Sequence, residues 1–245
     1  MLFALLKMFY MMEKKYLFLF LLFLVFNWTA QAQSFYKERL PRNNSFAVGV
    51  GPSFIYAETG GQYSILDFAL RPTMSLAYAK RINPLISLQA TTGMQWIGSG
   101  GNPTQAVINE WLANESAISF SGQAYFIDLM PMFTLFPYHH HMQRNYLNFY
   151  GGMGIGVLQA RTKRYYTQEE NSREYIANFP TAYIPIRAGM SYRIGNVYDI
   201  CLEGSMLLTF SDDLDGNQNW NKFNDHLFQI QFILKKYLAS KSQKF

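Results

Sequence analysis

Residues 84–96 alternate between apolar and small polar side chains over a whole strand length. The apolar positions are Ile86, Leu88, Ala90, Met94 and Trp96. The intervening positions are Ser87, Gln89, Thr91, Gly93 and Gln95. Successive side chains of a strand point to opposite faces, so this segment predicts one apolar surface backed by a surface too small and polar to form a dry core.

The same two-residue period recurs along most of the chain. It predicts eight strands, at residues 45–57, 68–82, 84–96, 120–136, 147–160, 182–194, 198–210 and 226–238. Strands with one apolar and one polar face are typical of a transmembrane β-barrel, with lipid outside and polar filling inside. We therefore expect an all-β, eight-stranded, antiparallel up-and-down transmembrane barrel. A soluble ligand-carrying barrel is the alternative, and it would reverse the two faces.

The first residues of the chain resemble an export signal. Glu13, Lys14 and Lys15 precede an apolar run at 16–26, and Ala30-Gln31-Ala32-Gln33 follows with small residues at a cleavage spacing. We expect a signal peptide at 1–32, with translation starting at Met11 or Met12. The remaining divisions are a periplasmic lead-in at 33–44, the barrel at 45–238 and a short tail at 239–245.

Charge and cysteine content exclude several classes of protein. Formal net charge is +5, and it falls to about +3 once the expected signal peptide is removed. This balance is too mild for nucleic-acid binding, and no basic run with interleaved aromatic residues occurs. Cys201 is the single cysteine, which excludes an internal disulfide.

The connections between the predicted strands alternate in length. Long ones span 57–67, 98–119, 161–180 and 211–225, whereas 82–84 and 194–197 are short and 137–146 is intermediate. Outer-membrane barrels have long external loops and short periplasmic turns. We therefore expect the long loops outside the cell, the 137–146 turn in the periplasm, and the protein in the outer membrane of a Gram-negative bacterium.

Charged residues on the predicted inner face can cancel one another. They are Arg71, Asp128, Arg187, Arg193, Asp199 and Glu203. An eight-stranded barrel is just wide enough to be filled by side chains, and unpaired buried charge is costly. We predict a plugged lumen stabilised by ion pairs and glycines, with no open pore.

The 137–146 turn carries three consecutive histidines. Adjacent histidines in an extended segment point in opposite directions, and no Cys, Asp or Glu lies nearby to complete a metal site. We expect a solvated turn without a metal. A periplasmic protein partner could bind the polar aromatic surface formed by Tyr138, His139, His140, His141 and Arg144.

Two further groups suggest chemistry without completing a motif. The Asp-rich loop 212–219 has the oxygen content of a calcium loop but lacks the EF-hand order, so only weak cation binding stays open. His226 could meet Ser211, Asp212 and Asp213 as a lipid-modifying site, but no oxyanion signature accompanies them. We expect no catalytic residues and no cofactor. The aromatic residues near strand ends fit interfacial girdles.

Four segments together resemble the small outer-membrane barrels of Bacteroidota. They are the Ala-Gln-Ala-Gln region, the hairpin at 81–89, Tyr-Gly-Gly-Met-Gly-Ile-Gly-Val at 150–157, and Thr-Phe-Ser-Asp-Asp-Leu-Asp at 209–215. The chain is most similar to the PorG-like group, in which the last segment corresponds to a Thr-Asp-Tyr-Leu-Asp-Asp signature that this sequence matches imperfectly. The resemblance implies a barrel component of type IX secretion.

Fold does not determine function, so three possibilities stay open. The first is a non-catalytic anchor or accessory subunit that binds outer-membrane lipid and a periplasmic or surface protein. The second is a lipid-modifying enzyme. The third is a self-sufficient barrel that stabilises the envelope.

Overall fold

A computed structural model describes residues 41–57, 59–60, 68–100, 103–114, 116–166, 175–217 and 224–239. The expected signal peptide, most of the lead-in and most of the tail lie outside these residues. In the described part of the chain, no helix has the length and apolar character needed to cross a membrane.

Nine strands account for most of the described residues. They are β1 (Asn44–Tyr56), β2 (Arg71–Arg81), β3 (Ile86–Gly98), β4 (Ser119–Thr134), β5 (Leu147–Met153), β6 (Ile155–Tyr165), β7 (Tyr175–Arg193), β8 (Tyr198–Thr209) and β9 (His226–Leu238). One helix, α1 (Gln105–Ala113), lies between β3 and β4, and a 3-10 turn occupies His141–Gln143.

The sheet closes on itself. Each strand pairs antiparallel with its neighbours, and β1 pairs with both β2 and β9, so Asn44 lies between Lys80 and Leu238. β5 and β6 are separated by Gly154 alone, whose N–H donates to the carbonyl of Pro185 at 3.1 Å. They act as one strand between β4 and β7. With β5 and β6 counted as one strand, the predicted all-β, eight-stranded, up-and-down barrel is confirmed.

The two faces of the barrel differ as the sequence pattern predicts. On β4, Ile127 is 56% exposed and Leu129 47%, whereas Asp128 is 4% exposed and Met130 fully buried. The apolar exterior continues around the barrel through Val50, Leu76, Phe133, Val157, Ile200 and Phe232. A closed barrel satisfies its backbone internally, and an apolar exterior of this extent requires lipid. The protein is an integral outer-membrane β-barrel.

One end of the barrel holds the short connections and the other the long ones. The end with 82–85, 135–146 and 194–197 is called the short-turn end, and the opposite end is called the long-loop end. The start of β1 and the end of β9 both lie at the short-turn end. This is the side that faces the periplasm in outer-membrane barrels.

The hairpin β6–β7 is longer than predicted. β7 starts at Tyr175 rather than at 182, and its ladder with β6 runs from Gly156 opposite Tyr183 to Arg164 opposite Tyr175. The exposed positions here include Arg161 and Lys163. These outward residues are charged rather than apolar. The apolar, lipid-facing part of β6 and β7 is therefore shorter than the strands themselves.

The long-loop half of the lumen is an apolar core, which corrects the expectation of a wholly polar interior. Its buried members are Ile55, Ala57, Ile97, Phe120, Ala124, Phe126, Leu158, Ala160, Tyr183, Leu207, Leu214 and Leu227. Side chains from β1, β3, β4, β6, β7, β8 and β9 meet in this cluster. The barrel is therefore dry toward the long loops and polar toward the short turns.

Candidate functional site

An ion pair spans the middle of the lumen. Arg187 on β7 donates from Nη1 and Nη2 to Asp128 on β4, at 2.9 and 2.6 Å. The Tyr183 hydroxyl donates to the same carboxylate at 2.7 Å. Arg187 Nε lies 3.6 Å from Glu203 on β8. All of these groups are buried, so two charge-assisted bonds and a hydroxyl offset the desolvation of the carboxylate.

Three of the six predicted lumen charges therefore meet: Asp128, Arg187 and Glu203. Asp199 is buried but pairs with Arg144 instead. Arg71, at the start of β2, has the same parity as the buried Thr73 and Ser75 but is exposed at the strand end. Arg193 lies at the short-turn end, where it donates to the carbonyl of Met142 at 2.8 Å.

Amide side chains form a second layer across the lumen. Gln229 Nε2 donates to Gln95 Oε1 at 2.9 Å, and Gln95 Nε2 donates to the carbonyl of Phe54 at 3.0 Å. The Ser75 hydroxyl donates to Gln231 Oε1 at 2.6 Å. These buried amide groups are hydrogen-bonded to one another, to a hydroxyl and to the backbone, so their burial is offset.

The connection between β4 and β5 folds back into the short-turn mouth, where Arg144 anchors it. Arg144 is 4% exposed, and its Nε donates to Asp199 Oδ1 at 2.8 Å. It also donates to the carbonyls of His141, Gly195 and Asn196. A guanidinium that spans two turns and a strand holds this connection in one conformation.

The three histidines have three different environments. His141 is fully buried and its Nδ1 accepts from the Arg42 N–H at 3.2 Å, whereas His139 is exposed. Burial, reinforced by His140, Arg42, Arg144 and Arg81, lowers the pKa of His141 to about 4. A solvated turn was expected, and that is wrong for His141 and Arg144.

The 3-10 turn also changes how the histidines face one another. The rings of His140 and His141 stack at 4.5 Å, so these neighbours do not point in opposite directions as an extended segment would require. His140 Nδ1 accepts from the Met142 N–H at 3.1 Å, which caps the turn. In the described residues, no three His, Cys, Asp or Glu side chains converge on a point where they could hold a metal.

A cleft opens at the short-turn end, with a volume of about 50 Å³. Its charged lining consists of Arg42, Arg81, Arg144, Asp199 and Lys235. Deeper in the lumen, a cavity of about 10 Å³ is lined by Glu203, Tyr150, Gln89 and again Lys235. A space of that size holds about one water molecule.

The Asp-rich loop closes the opposite end. Asp215 Oδ2 accepts from the N–H and the hydroxyl of Thr59, at 2.8 and 2.9 Å. Asn217 exchanges hydrogen bonds with the backbone of Ala117, at 2.7 and 2.9 Å. Burial raises the pKa of Asp215. Within this loop, which was predicted to be external, Leu214, Asp215 and Asn217 are buried. Residues 218–219 lie outside the described residues.

The residues of the conceivable lipid-modifying site lie at this same end. His226 stacks on Tyr56 at 4.6 Å, with Nδ1 3.2 Å from the carbonyl of Asn224. The Ser211 hydroxyl accepts from the Asp213 N–H at 3.3 Å. These hydrogen bonds of Ser211 and His226 are to backbone groups.

Several residues of the site were not singled out from the sequence. Tyr183, Tyr237 and Lys235 are the most important. Lys235 and Tyr237 continue the inward period that begins at Gln229 and Gln231, so the alternation alone could have placed them in the lumen. Nothing local could have shown that Arg144 reaches Asp199, which is 55 positions away in the chain.

No family model matches the sequence, and no curated protein matches it. Solved structures with a similar fold include Neisserial surface protein A, at 9% identity, with 80% of this chain and 97% of that chain covered and a TM-score of 0.48. A major outer membrane protein from Thermus thermophilus has 10% identity, 78% and 99% coverage and a TM-score of 0.47. Ail from Yersinia pestis has 11% identity, 81% and 99% coverage and a TM-score of 0.43.

Proposed function

We propose that the protein is a non-catalytic, non-conducting anchor or accessory subunit of an envelope complex, with a periplasmic partner at its short-turn end. The observation that carries the proposal is the buried anchoring of the 135–146 connection by Arg144 and His141. Most turns of outer-membrane barrels are short, whereas this one is long and immobilised. A preordered surface binds a partner with little further loss of conformational freedom.

The lumen argues against transport as the function. An apolar core at the long-loop end, an ion pair and an amide layer fill the described interior in succession. Solutes would need all three to rearrange. The surface, not the interior, is then where this barrel acts, and a role in type IX secretion is the specific form of the proposal that the sequence resemblance favours.

The exposed part of the anchored connection can be changed without touching its buried supports. His139, Gln143 and Asn145 are exposed, whereas His141 and Arg144 are buried. Replacing the three exposed residues with glutamate adds negative charge to the exposed surface of this connection. The buried residues His141 and Arg144 stay unchanged. The matched control is the same number of glutamates at exposed positions Gln105, Ala106 and Asn109 of α1, at the opposite end.

The test is mass spectrometry of proteins that co-purify with the tagged barrel from mild-detergent outer membranes. The proposal expects periplasmic proteins to be recovered with the natural chain and the α1 variant, and to be lost with the turn variant. Recovery of secretion components among them would support the narrower form. A barrel that always purifies alone would overturn the proposal and favour a self-sufficient envelope protein.

A further inference from the structure

Among the described residues, Lys235 forms no ion pair within 4.0 Å, although a carboxylate lies opposite it in the sheet. It lies directly opposite Asp199 in the β8–β9 register, and both side chains point into the lumen. Arg144 Nε donates to Asp199 Oδ1 at 2.8 Å, and the Tyr237 hydroxyl donates to Asp199 Oδ2 at 2.9 Å. Each oxygen of this carboxylate thus has another donor, and no hydrogen bond joins Asp199 to Lys235 among the described residues.

The next carboxylate along β8 is engaged as well. Glu203 lies 3.6 Å from Arg187 Nε, and the Ser205 hydroxyl lies 3.4 Å from Glu203 Oε1. Within the described residues, no acceptor lies at hydrogen-bond distance from the Lys235 ammonium. The ammonium contacts the ring of Tyr150, 4.9 Å from Nζ to the centroid. The side chain is half-buried, and a cation–π contact stabilises its charge less than a paired anion would.

The surroundings of this ammonium favour an anion. Lys235 lines both the outer cleft and the small inner cavity, so it stands at the inner end of a space that opens at the short-turn end. Arg42 and Arg81 line the same cleft, and the one carboxylate among its lining residues is Asp199, already neutralised by Arg144. Arg42 Nε is buried without an acceptor among the described residues.

Two of the arginines that line the cleft already donate to protein groups. Arg144 donates to Asp199 and to backbone carbonyls. Arg81 donates to Asn43 and to the carbonyls of Tyr138 and His139. The Lys235 ammonium and part of the Arg42 guanidinium remain, since Arg42 donates from Nη1 to the carbonyl of Tyr237 at 3.0 Å. These cationic groups suit an anion, and the anion that a peptide presents is a carboxylate.

We propose that the short-turn cleft binds the carboxylate of an acidic peptide residue, with Lys235 as the group that recognises its charge. The peptide comes from the periplasmic partner, and in this respect the inference rests on the proposed function. Asp199 pairs with Arg144, so the carboxylate of the peptide is the group that pairs with Lys235. A partner that presents an acidic side chain to this mouth would be held by charge as well as by shape.

The experiment titrates the folded, detergent-purified barrel with N-acetylglutamate amide by calorimetry, at neutral pH and constant ionic strength. The matched ligand is N-acetylglutamine amide, and inorganic phosphate is the competing anion. We expect saturable binding of the glutamate compound, none of the glutamine compound, and weaker binding of phosphate. Phosphate binding tighter than glutamate would overturn the assignment to a carboxylate, and no saturable glutamate binding would overturn the site.

Two variants separate Lys235 from general charge. Lys235→Met keeps the apolar stem and removes the charge, and we expect affinity for the glutamate compound to fall at least tenfold. Lys236→Met is the control, because Lys236 is exposed and lies over Tyr198 outside the lumen. A heat-dependent gel shift checks that each variant is folded, and Lys235→Arg, which retains the charge, should restore binding if the Met variant does not fold. Equal loss in the Lys235 and Lys236 variants would overturn the role of Lys235.

This titration uses the isolated barrel, so it is independent of partner capture. Glutamate binding without a captured partner would leave the cleft established and the accessory role wrong. A captured partner with no glutamate binding would support the accessory role and overturn the carboxylate site.

Discussion

The ring of Tyr183 lies across Gly156 on the neighbouring strand. A Cβ atom at Gly156 would come within 2.5 Å of Tyr183 Cζ and 2.8 Å of Asp128 Cβ. Glycines were predicted to contribute to a filled lumen. At Gly156 the space is filled by a side chain of the adjacent strand, because Gly156 and Tyr183 are direct partners in the β6–β7 ladder.

Gly156→Ala should therefore destabilise the barrel. The added methyl displaces the Tyr183 ring and weakens its bond to Asp128, and overpacking of this kind costs about 1–3 kcal/mol. The control is Gly204→Ala, where the nearest atom to the new Cβ is a carbonyl oxygen at 3.9 Å. Urea unfolding in lipid vesicles, followed by tryptophan fluorescence, measures both. Equal stability of the two variants would show that Tyr183 is not packed as described.

The central ion pair gives a double-mutant test. Arg187→Met leaves Asp128 buried without its guanidinium, and breaking a buried pair costs about 3–5 kcal/mol. Adding Asp128→Asn removes the stranded charge, so the double variant should be more stable than Arg187→Met alone. A double variant that loses the sum of both single effects would mean that the two residues are not coupled.

His141 predicts a pH dependence of stability. Its pKa is lowered from 6.5 to about 4 in the folded barrel, so folding favours the neutral ring. As the pH falls from about 6.5 to about 4, the unfolded chain binds a proton that the folded chain does not, and this difference lowers stability. Above 6.5 both states are neutral and the contribution of His141 is constant.

The test of this dependence is the urea midpoint at pH 7 and at pH 4.5 for His141→Asn and for the exposed control His139→Asn. Asparagine at 141 keeps an acceptor for the Arg42 N–H but does not titrate. We expect a smaller drop between the two pH values for His141→Asn than for the natural chain, and an unchanged drop for the control. Identical drops in all three proteins would contradict the burial of His141.

The two ends of the barrel should differ in accessibility. Glu110 on α1 and His139 on the 135–146 connection are both exposed, at opposite ends. A cysteine at 110 should react with a membrane-impermeant maleimide in intact cells, whereas a cysteine at 139 should react only after the outer membrane is permeabilised. The natural Cys201 is buried and gives a low background. The opposite result would invert the barrel.

The sequence was informative where a strand spans the membrane and less so at its ends. Alternation placed Asp128, Gln95 and Glu203 inside because lipid on one face and polar filling on the other leave a strong two-residue contrast. The contrast fails at the long-loop end, where Phe54, Ile55 and Tyr56 are all apolar. Ile55 is fully buried in the core, and only the parity of the preceding strand residues, not its own type, shows that it faces inward.

The short-turn mouth was harder to predict for a different reason. Its geometry depends on Arg144 reaching Asp199, and no periodicity encodes a contact between a connection and a distant strand. From the sequence, Asp199 was predicted to pair with the inward-facing arginines of the strands. The turn arginine was then assigned to a solvated surface, and Lys235 received no role.

The closed lumen is the central claim, and conductance in a planar lipid bilayer tests it most directly. The purified barrel should insert without opening a conducting path, because the apolar core, the ion pair and the amide layer block it in turn. The reference is an open porin inserted under the same conditions. Silent insertion, verified by recovery of folded protein from the bilayer lipid, is the predicted result. Discrete, reproducible conductance steps from the natural chain would contradict the account.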